Sequence, residues 1–244
     1  MIGENATAMN PNNLSSDFLT YLAETNRVDE NCERLPSLQV LSKQLGVSVS
    51  SLREQMEVAR ALGLVEAKPR TGLRRLPYSF RPAVDQSLSY AIAIDQENFL
   101  KFADLRRNVE AAYWYQAVRL LTEEDHHVLQ QLIEHAWEKL RGTPIQIPQL
   151  EHRQLHLLIY KRLDNLFVSG ILEAYWDAYE AVGLNLYAGY AYLDEVWSYH
   201  QRMVDAICSG DLEAGHQALL EHTDLIRHRV IESEDGKIKV AQSY

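Results

Sequence analysis

The sequence predicts a mostly α-helical chain in which a small helix-and-hairpin unit is followed by an all-helical bundle. Three observations carry that prediction. Beyond about residue 80, apolar residues recur at spacings of three and four, with no convincing alternating run. Earlier in the chain, Leu64–Ala67 and Leu73–Leu76 flank Lys68-Pro69-Arg70-Thr71-Gly72, and two short alternating runs around a Pro/Gly turn signal a hairpin. Finally, 244 residues with 46% apolar and 24% charged content suit one large folded domain or two modest ones, and exclude wholesale disorder.

In chain order, residues 1–13 are expected to be a frayed tail. Ser15 or Ser16 can cap a short helix carrying Phe18, Leu19 and Leu22, and a polar loop follows. Ser37 is placed to cap a second helix that ends at Gly46, and Ser48 a third that Gly63 stops. The hairpin comes next, then Pro77 to Pro82 as connector. The remaining helices are predicted over 83–94, 96–121, 123–141, 147–163, 164–190, 193–208 and 211–231. The clearest punctuation is Gly142-Thr143-Pro144 and Ser209-Gly210-Asp211. The domain boundaries expected are 1–77 for the first unit, 78–90 for a linker and connecting helix, 91–235 for the bundle, and 236–244 for a tail.

The net charge of −10 argues against a chain that coats nucleic acid indiscriminately. The start, MIGENATAMNPNN, has neither a basic nor an apolar run, so no signal peptide is expected. The longest uncharged apolar stretch, 181–193, falls short of the roughly 20 residues that span a bilayer. Two cysteines, Cys32 and Cys208, are too few for a disulfide scaffold. A cytoplasmic protein without membrane partners is the expectation.

Charge is unevenly spread. Leu35 to Pro77 holds seven basic residues against three acidic, a local balance of +4. Helix, Gly-containing turn, helix and basic hairpin make a winged helix-turn-helix, whose second helix can enter a major groove while the wing follows phosphates. Ser48, Ser50, Ser51 and Arg53 gather at the start of that second helix, where side chains and backbone N–H groups can meet phosphates and base edges. A protein-interaction module is the alternative use of such a unit.

The run RLPSLQVLSKQLGVSVSSLREQMEVARALGLVEAKPRTG resembles the GntR family of bacterial transcriptional regulators, from the LPS opening through the GLV strand to the Gly-bearing wing. The resemblance implies contact with double-stranded DNA through Ser37, Gln39, Ser48, Ser50, Ser51, Arg53, Arg70 and Gly72. Gln39 and Val49 stand where the family usually has arginines. Gln39 can still read adenine bidentately, whereas Val49 offers only an apolar contact.

In the bundle, helical phase sorts the nine histidines. His152 and His156 are four apart and share a face with Ile159 and Leu163; His200 lies on the stripe of Val196 and Ile207, and His222 on that of Leu219 and Ile226. Four imidazoles on inward stripes of three helices can converge inside a bundle, where neutral nitrogens suit a divalent metal. A hydrogen-bonded core histidine is the alternative for any one of them. Arg106 lies on the stripe Phe99, Phe102, Val109, Tyr113, where a cation needs a partner. It is either a clamp for a carboxylate or half of an ion pair with Glu110.

The same stretch resembles the ligand-binding C-terminal domain of the FadR branch of the GntR family, through HRQLH at 152–156 and YHQRMVDAICSGDLEAGHQALLEH at 199–222. That resemblance implies His152, His156, His200 and His222 as metal ligands and Arg106 as an effector contact. His152 stands where the family usually has an aspartate, with Glu151 adjacent but about 100° around the helix; a neutral ligand there shifts preference towards zinc or nickel. The function expected is a ligand-responsive regulator: a homodimer on a palindromic operator, answering to a small carboxylate. Two alternatives stand beside it. One is a di-iron-type bundle enzyme using the Glu-x-x-His pairs Glu123/His126, Glu124/His127 and Glu213/His216; the other is an interaction protein with a structural metal.

Overall fold

The computed structural model describes residues 14–28, 34–68, 72–182 and 189–231. It divides into two compact units, Met1–Ala83 and Val84–Tyr244.

The first unit holds α1 (Asp17–Val28), α2 (Leu38–Leu45), α3 (Val49–Ala61), β1 (Val65–Lys68) and β2 (Gly72–Arg75). Of the two predicted caps for α1 it is Ser16 that serves, accepting from the Leu19 amide at 3.2 Å. The helices meet because each buries one apolar stripe: Phe18, Leu19 and Leu22 from α1, Leu41 from α2, Leu52 and Ala59 from α3, closed by Leu35, Val65 and Leu73. Gly63, at φ +69, turns the chain out of α3 into β1. A side chain there would also strike Pro82, whose Cγ lies 2.5 Å from where a Cβ would sit.

The hairpin pairs Val65 with Arg75 and Lys68 with Gly72, one residue later on β1 and one earlier on β2 than the alternation suggests. A third contributor escaped the sequence reading. Arg34 bridges to Arg74, and the Leu35 amide donates to the Leu73 carbonyl at 2.9 Å. Pro36 has no amide to extend that pairing, so the contribution leaves no alternating pattern.

The second unit is helical: α4 (Arg81–Ile94, beginning in the last residues of the first unit), α5 (Glu97–Val118), α6 (Glu123–Arg141), α7 (Gln149–Tyr160), α8 (Leu166–Ala181), α9 (Tyr190–Ser209) and α10 (Leu212–Ile231). Three predicted helices were too long. The one expected to run to 121 stops at Val118, because Thr122 and Asp125 form a reciprocal capping box that starts α6. The one expected over 147–163 ends at Tyr160, and Asn165, accepting from the amides of Phe167 and Val168, starts α8 afresh. That helix, expected to reach 190, ends at Ala181; residues 183–188 lie outside the described residues.

α9 packs against α10 and α6, and α5 against α10, α8 and α7. The core between them includes Trp114, Leu129, Leu155, Ile159, Trp197, Met203, Val204 and Leu219. Where α10 crosses α5 the backbones come close: a Cβ on Gly215 would lie 2.6 Å from Cζ2 of Trp114, whose indole N–H donates to the Leu212 carbonyl at 2.9 Å. Among the described residues no helix is long and apolar enough to cross a membrane.

Candidate metal centre

α7 carries His152 and His156 one turn apart on its inward face, α9 brings His200 and α10 brings His222. One nitrogen from each lies within 4.8 Å of every other. The ring centroids of His200 and His222 are 4.2 Å apart, and those of His152 and His200 4.7 Å. His156, His200 and His222 are at most 1% exposed. Trp176 and Trp197 wall the cluster, 4.6 Å from His152 and 4.7 Å from His200 respectively.

Burial holds all four imidazoles well below the usual histidine range and the Arg106 charge reinforces it, with Glu110 opposing at His222, so they are neutral at physiological pH. Neutral imidazole is the form that ligates metal. Among the described residues, four nitrogens of the cluster are buried without a protein partner: Nε2 of His152, Nδ1 of His200 and both nitrogens of His222. In a dry core each such orphan costs roughly 1–3 kcal/mol, so the donor set fits a resident ion. Four nitrogens suit zinc or nickel better than oxygen-seeking ions.

Arg106 on α5 is buried against this cluster and already engaged. Its Nε lies 2.8 Å from Oε2 of Glu110, a charge contact without hydrogen-bond alignment, and its Nη2 lies 2.7 Å from Nδ1 of His156. The guanidinium also sits 4.6 Å over the Tyr175 ring. Glu110 in turn reaches Nδ1 of His156 at 3.2 Å. Burial pushes the Glu110 carboxyl up, with Arg106 and His222 pulling it back. The ion pair read from the sequence is present, and it lies against the histidines. No residue pattern singles out Tyr175 and Trp176, which lie on α8, a helix apolar on most of its faces.

Glu151 turns away from the cluster to Lys139, 2.6 Å from its Nζ. The Glu-x-x-His pairs are not among the gathered ligands. Glu123 and Glu124 occupy the first turn of α6, and Glu213 accepts from the Tyr115 hydroxyl at 2.5 Å while His216 packs on the Tyr115 ring.

In the first unit, Ser37 caps α2 without a side-chain cap hydrogen bond, and Gln39, two residues on, is exposed. Ser48 caps α3, accepting from the Ser51 amide at 3.1 Å; Ser50 and Arg53 are exposed beside it. Ser51 is partly enlisted inward, accepting from Gln55, which itself accepts from the Phe18 amide. Gly72 starts β2 in the left-handed region, and Arg70 lies outside the described residues. Arg75 turns inward to Thr25, whereas Lys68 stays exposed and pairs with Glu66 at 2.8 Å.

The FCD domain family matches residues 101–225, which contain the four histidines. The chain is 22% identical over 205 residues to the HTH-type transcriptional regulator YcbG of Bacillus subtilis (strain 168), covering 84% of each. It is 24% identical over 201 residues to an Escherichia coli (strain K12) protein named for regulation of the L-lactate dehydrogenase operon, covering 79% of this chain and 76% of that one. A solved Streptococcus agalactiae GntR structure superposes with a TM-score of 0.64 at 17% identity, over 86% of this chain and 96% of that one. With the family match spanning more than half its length, the chain belongs to the FCD-domain, FadR-type branch of the GntR family of transcriptional regulators.

Proposed function

We propose that this regulator holds a divalent ion, zinc or nickel, through His152, His156, His200 and His222, and that a small carboxylate binding there alters its grip on DNA. The observation that carries the reading is the convergence of four neutral imidazoles, three of them fully buried, from three helices, with nitrogens that have no protein partner among the described residues. Such a set completes a tetrahedral shell, so an anionic ligand would enter as an added fifth donor, where Arg106 supplies positive charge. A relative named for a lactate-metabolising operon supports a small carboxylate as the class of effector.

The head, residues 1–77, binds double-stranded DNA in this reading. Residues 78–90 connect it to the effector domain at 91–235, with 236–244 as tail. Two chains pair, so the operator is palindromic with half-sites about one helical turn apart. The protein works in the cytoplasm and is a binding protein rather than an enzyme, which the regulator names of its relatives support.

Two measurements test this. Elemental analysis of protein purified without tag or added metal is expected to find about one zinc- or nickel-like ion per chain; two irons would revive the di-iron reading. Titration against the gene's own upstream DNA is expected to show salt-dependent binding. Arg53→Ala and Arg70→Ala each weaken it and lower the salt slope by about 1. Binding indifferent to both substitutions would remove the head assignment.

A further inference from the structure

The histidine cluster contains a conflict over one atom. Nδ1 of His156 faces two groups that want opposite things from it. Nη2 of Arg106, 2.7 Å away, is a donor and needs a bare nitrogen; Oε1 of Glu110, 3.2 Å away, is an acceptor and needs an N–H. A neutral imidazole has one proton, so it can satisfy only one of them. On the ring's other side, Nε2 of His156 and Nε2 of His200 are 3.1 Å apart, which requires one of them to donate to the other.

The distances favour one metal-free arrangement. The shorter contact, to Arg106, has Nδ1 bare, so the His156 proton sits on Nε2 and is donated to His200. That arrangement occupies the nitrogen that faces the other histidines. To ligate a metal, His156 must move its proton from Nε2 to Nδ1. Nδ1–H then has a ready acceptor in Glu110, but it meets Arg106 donor to donor, and the guanidinium must withdraw. Among the described residues, His156 is the one of the four histidines with a carboxylate against its outer nitrogen, the partner that usually fixes a ligand's tautomer.

We infer that Glu110 and Arg106 act as opposed positioning residues on His156: Glu110 holds it in the tautomer that binds metal, Arg106 in the one that does not, so that metal loading releases the Arg106 fork. This rests on the four-histidine metal reading and deepens it. The released guanidinium becomes available to an effector carboxylate only once the site is loaded, which orders the two binding events. No charge is created on His156 in the exchange.

The test uses full-length, chelator-treated protein and zinc, with affinity read by competition against a chelator of known strength. Glu110→Gln is expected to weaken zinc binding about 10- to 100-fold, as loss of such a partner typically does. Arg106→Lys keeps the charge beside Glu110 but loses the fork, and is expected to bind zinc at least as tightly as the unaltered chain. Opposite responses are what a merely structural role would not produce, and thermal unfolding checks that both variants fold. A second readout needs no variant: with 15N-labelled histidine, the His156 proton is expected on Nε2 without zinc and on Nδ1 with it. Equal affinity for Glu110→Gln, weakening in Arg106→Lys, or an unchanged tautomer would overturn the inference. Absence of zinc binding by the unaltered protein would instead overturn the metal reading beneath it.

Discussion

His222 offers a substitution that should strengthen the metal-free protein while disabling its site. The residue is 1% exposed on α10, and among the described residues neither ring nitrogen has a protein partner. Neutral imidazole therefore brings one donor and one acceptor into a dry core, each costing roughly 1–3 kcal/mol. His222→Leu removes both. The shape change returns about 1–1.5 kcal/mol of that gain through imperfect packing. The metal-free variant should thus be more stable by about 2 kcal/mol, which raises the melting temperature by roughly 4–8 °C for a unit of this size. Zinc should reverse the ranking: at a hundred times its dissociation constant it stabilises the unaltered protein by about 2.7 kcal/mol and the variant much less. Thermal unfolding of chelator-treated protein, repeated with excess zinc, reads both effects. A metal-free variant that melts below the unaltered protein would show that the nitrogens of His222 are satisfied, and the argument from orphaned atoms would fail.

Asp125 tests the architecture rather than the site. Its carboxylate accepts from the Thr122 amide and hydroxyl at 2.8 and 2.9 Å and pairs with Arg162 and Lys161. Asp125→Asn should cost about 2 kcal/mol, measured by denaturant unfolding. Arg162, then Lys161 and Thr122, hold that carboxyl far below its usual range. Its folded value lies under its unfolded one, so its contribution is full at neutral pH and fades as pH falls through about 4 and below; the Asn variant should lose that part of the acid dependence. Gly63→Ala combines left-handed backbone with a collision against Pro82 and should cost about 2 kcal/mol or more, seen as earlier melting.

The sequence exposed those features that one residue's chemistry decides locally. Ser48 caps α3 where the residue pattern places it, Gly46 ends α2 with φ +69, and helical phase alone sorts the histidines. Phase gives direction but not depth, so it pointed four imidazoles inward without saying that Arg106 and Glu110 contest one of their nitrogens. The end of α7 was hidden because Lys161 and Arg162 continue a helical pattern while in space they turn to Asp125, some 37 residues earlier in the chain. The third pairing of the wing was hidden because one hydrogen bond, Leu35 to Leu73, has no period to detect.

The contact between Gly215 and Trp114 reaches further than local packing. Gly215 and His222 are seven residues apart on α10, almost two full turns, so they point the same way with about 10 Å of helix between them. The missing side chain makes Gly215 the fulcrum of a rigid lever whose far end is an imidazole. A methyl group there, forced against the indole, would tilt the rod; a tilt of only about 5° displaces the far end by about 1 Å, several times the roughly 0.2 Å latitude of a metal–ligand distance. The tuning of the histidine cluster is thus set two turns away, by an atom that is not there.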